Sequence, residues 1–527
     1  MLNAVHGALR IADDSCVTIA RDIDSRLDEL VEKVEALARE NKILREENAL
    51  LKQGLFGRRS ERLSPGQLGF FDDAPVSAPA EAPAQPAEKS KQPKKKSGHG
   101  RAPFPEHLLR EVIELDLAET DRECDCCGKP LRRIGEEVTE RGHIVPARLV
   151  VKRYVRPKYA CPDGHGVKTA GLPDGVIDGG KYEASVYAHV ATAKYSDHLP
   201  LHRLQGIFKR YGEPIAKQSM WDMLSRVDEL VAQPVLERMR EELLGEEVLH
   251  ADETPVTMRL EDGKGTKSGY AWGWRNLRRK GEPSKALIEF RTSRGRDGPQ
   301  RFLGDWAGTL IVDGYAGYDE VIRTNKIRRA GCWAHARRKL KEALDAGSEG
   351  VAPLLALVQE LFAIERPINE GVLDGKIERD RQLELRRATR EEKSRDIVAA
   401  IHAEAERLEG LRSTLPKSKL GKALGYLDSQ RKPLSAFLDD ARLPIHNNDS
   451  ERDLRHLAIG RKNWLVFGSQ RGGEVACRLY SLILSCKQCG ADPEAYLEDV
   501  LMKVATTPAS EIASLTPWAW HAARKIG

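Results

Sequence analysis

The ten residues Thr309–Tyr318, TLIVDGYAGY, decide how this chain is read. The run from Leu310 to Val312 is apolar without alternation, the pattern of a strand buried on both faces. It ends on Asp313 and Gly314, so an acid stands where a buried strand meets a turn. A carboxylate there is costly unless it is paired, bound to a metal, or used to cap the next helix. Upstream, HADETP (His250–Pro255) ends a second expected strand, Glu247–Glu253, in which Val248, His250 and Asp252 share one face. Two acids at the ends of two buried strands prompt a search for a third. Phosphodiester chemistry by two hard cations about 3.5–4 Å apart needs carboxylates converging from separate elements.

The third acid is sought in HNNDSERDLR (His446–Arg455), which offers Asp449, Glu451 and Asp453. With Asn448 as N-cap, Glu451 falls at the third helical position, where a carboxylate commonly completes a capping box. Helical spacing separates the candidates. Glu451 shares a face with Leu454, Arg455 and Ala458, which can lie on a sheet, whereas Asp449 and Asp453 share the side of Arg452 and His456. Glu451 is therefore expected to face inward, and the other two to serve the helix dipole and solvent.

Around this core the chain divides by composition. In residues 1–60, Leu27, Leu30, Val34, Leu37, Asn41, Leu44, Asn48, Leu51 and Leu55 recur at steps of three and four. This is a leucine-zipper heptad with Glu40/Arg45 and Glu47/Lys52 at flanking positions, and Asn41 and Asn48 favour an in-register parallel dimer. Residues 61–105 are rich in Pro and Ala and end in Lys94, Lys95, Lys96 and Arg101. They read as a disordered basic linker, either a solvated tether or a phosphate contact. Residues 106–175 hold Cys124 and Cys127, a C-x2-C knuckle, with Cys161 and His165 available to close a tetrahedral structural zinc site; Cys126 competes for a place. The run VPARLVVKRYVRPKYAC there is expected to be rich in strands. Residues 176–245 contain a helical pair resembling a helix-turn-helix, with Arg203 and Lys209 on the first helix and Lys217, Gln218 and Arg226 on the second, toward a duplex.

The formal charge is +5, from 85 basic and 80 acidic residues, so charge balance alone points to no nucleic-acid partner. No apolar run is long enough to span a bilayer and no secretion signal is evident, so a soluble protein of the cytoplasm, nucleoid-associated when on DNA, is expected. The nine cysteines, odd in number, suit metal or buried thiols better than disulfides. Cys477, Cys486 and Cys489 are read as helical core thiols. Cys332 and His335, in GCWAH, are read as packing around the acids or as metal ligands.

The order strand-Asp, hairpin, strand-Asp, strand, insertion, helix-Glu resembles the ribonuclease H-like fold of DDE transposases. LHADETPV, DGYAGY, GCWAHARRK, NNDSERDLR, GRKNWLVFGS and DPEAYLEDVL resemble the insertion sequence 66 family over nearly the whole chain. The resemblance implies a multidomain α+β protein: coiled coil, zinc-binding module, helical DNA-binding region, and a ribonuclease H-like α/β catalytic domain (246–335 and 445–485). A helical insertion (336–444) and a C-terminal helical tail (486–527) complete it. It implies that Asp252, Asp313 and Glu451 bind Mg2+ or Mn2+ for strand cleavage and strand transfer. It also implies double-stranded DNA partners (terminal inverted repeats and target DNA), a homodimer or higher oligomer, and accessory proteins of the same element. Two rivals use the same residues: a ribonuclease H-like nuclease without integration, and a non-catalytic zinc-dependent DNA-binding protein.

Overall fold

A computed structural model describes residues 33, 110–112, 126, 147–160, 167–171, 176, 180–260, 263–278, 282–373 and 377–525. The chain forms two units, Val76–Val151 and the remainder. In the first, the described residues include no helix or strand, and Cys126, Val150 and Val151 are exposed.

In the second unit a short ribbon pairs β1 (Lys158–Ala160) antiparallel with β2 (Val167–Thr169). The strand-rich expectation for VPARLVVKRYVRPKYAC is corrected here. Of its described residues only the last three are a strand, and Tyr154 and Val155 remain exposed, since a β-run without a neighbour cannot bury its alternating face.

Four helices follow: α1 (Ala184–Tyr195), α2 (Leu201–Arg210), α3 (Lys217–Val227) and α4 (Gln233–Leu244). Apolar side chains lie on nearly every side of α1, so it is buried almost all round. Gly212, at φ +97°, permits the left-handed turn between α2 and α3. Leu204 and Phe208, then Met220, Met223, Leu224 and Val227, face inward as their spacing requires. A π-turn, Asp228–Ala232, joins α3 to α4 and buries Asp228 completely. That carboxylate is satisfied by Arg478 (2.6 Å) and Arg471 (2.9 Å), which ties the helical region to a helix near the C-terminus.

The five-stranded sheet comprises β3 (Val248–Arg259), β4 (Thr266–Asn276), β5 (Ala286–Arg291), β6 (Thr309–Ile311) and β7 (Arg328–Ala330), in the order β5-β4-β3-β6-β7. The first three form an antiparallel meander, and β6 and β7 add in parallel on the other side of β3. The expected strand Glu247–Glu253 is thus too short. Past His250, β3 continues to Arg259 against β4, with a parallel bridge from Met258 to Phe467 on its other edge. Short helices α5 (Asp297–Leu303) and α6 (Asp319–Thr324) connect the strands. On one face of the sheet Trp274 stacks on Phe302 of α5, ring centroids 4.2 Å apart.

Helix α7 (Trp333–Asp345) leads into α8 (Ala352–Leu373), α9 (Arg379–Thr389), α10 (Arg395–Glu409), α11 (Lys419–Ser429) and α12 (Arg431–Asp439). All of these but α9 contribute to a core in which Ile311, Ala330, Trp333, Leu361, Ile401, Leu427 and Leu434 are buried. Arg390, 1% exposed, crosses this core to Glu365 and to the carbonyls of Phe437, Asp440 and Leu443. The chain returns to the sheet in α13 (Asn448–Trp464) and α14 (Gln470–Cys489), then ends with α15 (Pro493–Lys503) and α16 (Pro517–Lys525). Two expected boundaries fall inside continuous helices, 335/336 in α7 and 485/486 in α14. The insertion and the tail are therefore packed extensions of the sheet domain, because a helix that serves two cores cannot be cut by composition. Ser481 and Ser485 of α14 bond the backbone of β5 at Ile288 and Ala286.

Candidate active site

The parallel register of β3 and β6 pairs His250 with Ile311. Asp252 and Asp313 each lie two residues beyond that pair, so adjacent strands carry the two acids out side by side. Asp252 Oδ1 accepts from the Glu253 N–H at 2.9 Å, and Asp313 Oδ1 from the Tyr315 N–H at 2.8 Å. Arg329 of β7 donates to the Asp313 and Tyr315 carbonyls, fixing the turn after β6.

Helix α13 brings Glu451 to these strands. Its N-cap is Asn447, not Asn448, and the cap makes no side-chain bond to the helix. The Asn447 amide instead bonds the Ala251 carbonyl (2.7 Å) and His250 Nδ1 (2.7 Å), while its backbone N–H donates to Cys332 Sγ (3.2 Å). Glu451 is accordingly the fourth helical residue, and the capping-box expectation is corrected: the cap side chain is spent on β3. Gly273 of β4 lets the helix approach, since a Cβ there would lie 3.2 Å from Leu454 Cγ. Of the expected inward face only Leu454 is buried; the buried side of the helix runs through Ser450, Asp453, Leu454, Leu457 and Gly460, and Glu451 lies at its margin, part-exposed.

The expectation for Asp453 is overturned. It is 5% exposed and bonds Arg275 Nη1 at 3.0 Å and Gln488 Nε2 at 2.7 Å. Helix α13 buries more than its apolar stripe, because β4 and α14 supply polar partners on the flank read as solvent. Asp449 is half-buried and pairs with Arg452 at 3.2 Å.

The electrostatics identify a concentrated negative site. Burial raises the Asp252 carboxyl well above its ordinary range, and repulsion from Glu451, Glu253 and Asp313 adds to the rise. Arg338 of α7 lies on Glu451 at 3.1 and 3.3 Å, and His335 Nδ1 is 3.9 Å from Asp313 Oδ2. Burial pushes the His250 imidazole down to about 4 and the Cys332 thiol up to about 12, so both are neutral supports. Cys332 lies beneath the Asn447 backbone and His335 beside Asp313. Among the described residues no three His, Cys, Asp or Glu side chains are gathered as an ion would need. Each of the three acids is satisfied locally instead. Their donor chemistry fits a hard divalent cation, which would relieve the repulsion centred on Asp252.

Other expected site residues are distributed as follows. Arg203 and Lys209 are exposed on α2, and Lys217 and Gln218 are exposed on α3. Gln218 bonds Asp222 and Arg226 pairs with Glu229 at 3.6 Å, so these two are partly engaged within the helix pair. Lys94, Lys95 and Lys96, the zinc set Cys124, Cys127, Cys161 and His165, and the zipper residues Leu30, Leu37, Asn41, Leu44, Asn48 and Leu51 lie outside the described residues. Cys477 and Cys486 are buried in α14 and Cys489 is half-buried at its end, as expected of core thiols. Sequence reasoning missed Glu253, Arg275, Arg294 and Arg338. The available signal was a charged residue inside an apolar strand run, as in AWGWRN.

Comparison with known proteins agrees with this architecture. The model described as "Transposase IS66 family" matches residues 179–475, over half the chain. "Transposase C of IS166 homeodomain" matches 43–113, "zinc-finger binding domain of transposase IS66" matches 121–163, and "IS66 C-terminal element" matches 481–518. The zinc-finger match takes in Cys124, Cys127 and Cys161 and stops before His165. The Sinorhizobium fredii protein y4jD, itself uncharacterized, is 33% identical over 519 residues, 94% of this chain and 98% of its own. Its uncharacterized companion y4qI is 32% identical over 89% of this chain and 87% of its own. With sheet, insertion and C-terminal helices all falling within these matches, the chain belongs to the IS66 transposase family.

Proposed function

We propose that the protein binds the ends of its insertion sequence and catalyses divalent-metal-dependent DNA strand cleavage and strand transfer. The carrying observation is the side-by-side projection of Asp252 and Asp313 from β3 and β6, with Glu451 adding to the negative charge felt at Asp252. The sheet order, an antiparallel meander continued by two parallel strands, supports a ribonuclease H-like core.

Asp252, Asp313 and Glu451 would hold Mg2+ or Mn2+. The chemistry supplied by such a bound cation is polarisation of the scissile phosphate and activation of the attacking oxygen. The protein's own residues orient this set: Asn447 seats α13 on β3, Arg338 and His335 sit against Glu451 and Asp313, and the buried Cys332 accepts from the Asn447 backbone N–H. The exposed Arg203, Lys209, Lys217 and Gln218, with Arg226 beside them, and the linker Lys94–Lys96 would grip duplex DNA. Cys124, Cys127, Cys161 and His165 would hold a structural zinc, and the zipper would pair two subunits to bring two DNA ends together.

The test uses the full chain with Mg2+ on DNA carrying the element's ends. Asp252→Ala, Asp313→Ala and Glu451→Ala should each bind end DNA yet lose nicking and joining. Retained cleavage by any one removes that residue from the set, and cleavage without joined donor–target product by the wild type would favour a nuclease.

A further inference from the structure

Glu253, the neighbour of Asp252, takes no part in the reading above, yet its side chain is 2% exposed while that of its partner Arg294 is 44% exposed. Arg294 Nε (3.0 Å) and Nη2 both donate to Glu253 Oε1, and the Tyr318 hydroxyl donates to Oε2 at 2.9 Å. The guanidinium lies 3.9 Å from the Tyr315 ring centroid, and the Tyr315 hydroxyl bonds the Arg294 carbonyl. The backbone N–H of the same tyrosine holds Asp313 Oδ1. Tyr315 therefore positions an acid with its main chain and a cation with its ring.

This arrangement is more than a tie between β3 and the segment after β5. A purely structural pair gains most when both members are shielded, but here the acid is buried and the cation keeps an open edge. Nη1 makes no hydrogen bond to a described residue. A planar guanidinium clamped along one edge and one face loses little freedom when its remaining donors meet an anion. The surroundings create the need for one. A polyanionic strand approaching Asp252, Glu253, Asp313 and Glu451 is repelled, and the nearby Arg329, 12% exposed, is spent on Asp319 and on backbone carbonyls.

We propose that Arg294, held by Glu253 and Tyr315, is a phosphate-binding residue that docks the DNA backbone beside the carboxylates on the Asp313 side. The inference rests on the proposed reading in taking DNA as the ligand. Its test is binding of a short fluorescent duplex carrying one end of the element, measured by anisotropy in EDTA across a salt series. Arg294→Gln should weaken binding about three- to tenfold and lower the salt slope by about one, whereas Arg294→Lys should keep the slope, since the charge stays, but bind more weakly, since an ammonium lacks the planar fork that Glu253 and Tyr315 hold in place. Unchanged affinity and slope in Arg294→Gln, with a lowered melting temperature, would show a structural tie and overturn the proposal. If Arg294→Gln does not fold, Arg294→Lys decides: weaker binding at an unchanged melting temperature supports the assignment, and unchanged binding overturns it. A wild type that binds but neither nicks nor joins sinks the transposase reading and leaves Arg294 standing. Wild-type nicking with an unchanged Arg294→Gln slope sinks only this inference.

Discussion

Asp453→Ala and Arg275→Met remove opposite halves of one buried ion pair, and their costs should differ in pH dependence. The side chains are 7% and 4% exposed and 3.0 Å apart. Arg275 also donates to the Asn276 and Asp449 carbonyls and to Ser284 Oγ, so its donors are almost fully used. An arginine does not give up its proton in a protein, so Asp453→Ala strands a buried cation. Breaking a buried pair from one side costs about 3–5 kcal/mol, and acidification does not recover it. A stranded carboxylate has a way out, because it can take up a proton.

Burial already pushes the Asp453 carboxyl up to about 6, against the pull of Arg275. In the wild type it is ionised at pH 7.5 and gains its proton as the pH falls through that value. Without Arg275 the folded-state value rises further, so the folded variant holds the proton at a pH where the wild type does not. The unfolded chain releases it near pH 3.9. A raised carboxyl stabilises the fold at low pH, and that contribution is lost as the pH rises through the folded value. Between pH 7.5 and 6 the deficit of Arg275→Met should therefore shrink, by up to about 1.4 kcal/mol per pH unit, and then level off. Urea unfolding of the full chain at several pH values, followed by the fluorescence of Trp272 and Trp274 on the same strand, measures this. A pH-independent deficit in Arg275→Met, or a cost for Asp453→Ala below about 1 kcal/mol, refutes the reasoning.

Three further outcomes are expected. Arg338→Gln frees Glu451 from a part-exposed pair of the kind worth about 0.2–1 kcal/mol, so Mn2+ affinity in an electron-paramagnetic titration should tighten up to about fivefold; weaker binding contradicts the role given to Glu451. A Cβ at Gly314 would lie 2.5 Å from Tyr426 Cε2, so Gly314→Ala should cost about 1–3 kcal/mol by overpacking, and an unchanged melting temperature argues against the packed Asp313 turn. Cys332, Cys477 and Cys486 are buried, with thiols pushed up by burial, and should resist maleimide until denaturant is added; site-resolved mass spectrometry showing rapid native labelling of Cys486 would remove it from the core.

The legible parts of the sequence were those whose cause is local. An apolar run ending on an acid at Asp313 needs only the chain around it to be read as a buried strand end, and β6 stops at Ile311, two residues before it. The companion strand, expected to end at Glu253, runs on through Pro255 to Arg259. Beyond His250, β3 has no β6 neighbour, so a residue without an N–H is tolerated on the open edge while pairing with β4 continues. The expected domain boundaries at 335/336 and 485/486 fall within continuous helices for the opposite reason. Composition changes where a helix leaves one core for another, but the backbone does not.

The stretch HNNDSERDLR shows where local reading ends. Apolar spacing marks Leu454 as sheet-facing, but of the face shared by Glu451, Leu454, Arg455 and Ala458 only Leu454 is buried, beside Ser450, Asp453, Leu457 and Gly460. The same spacing assigns Asp453 to solvent, since its partners Arg275 and Gln488 lie on β4 and α14 and the ion pair spans 178 positions. The cap side chain of Asn447 is likewise taken by His250 and Ala251 on β3, so a residue that resembles a helix cap acts as a long-range staple. In both cases the distant partner carries the usable signal. A charged or imidazole side chain in a fully apolar strand run, Arg275 in AWGWRN or His250 in VLHA, must find a polar group once buried. The polar, helix-starting segment that returns to the sheet after the insertion is the element able to supply it.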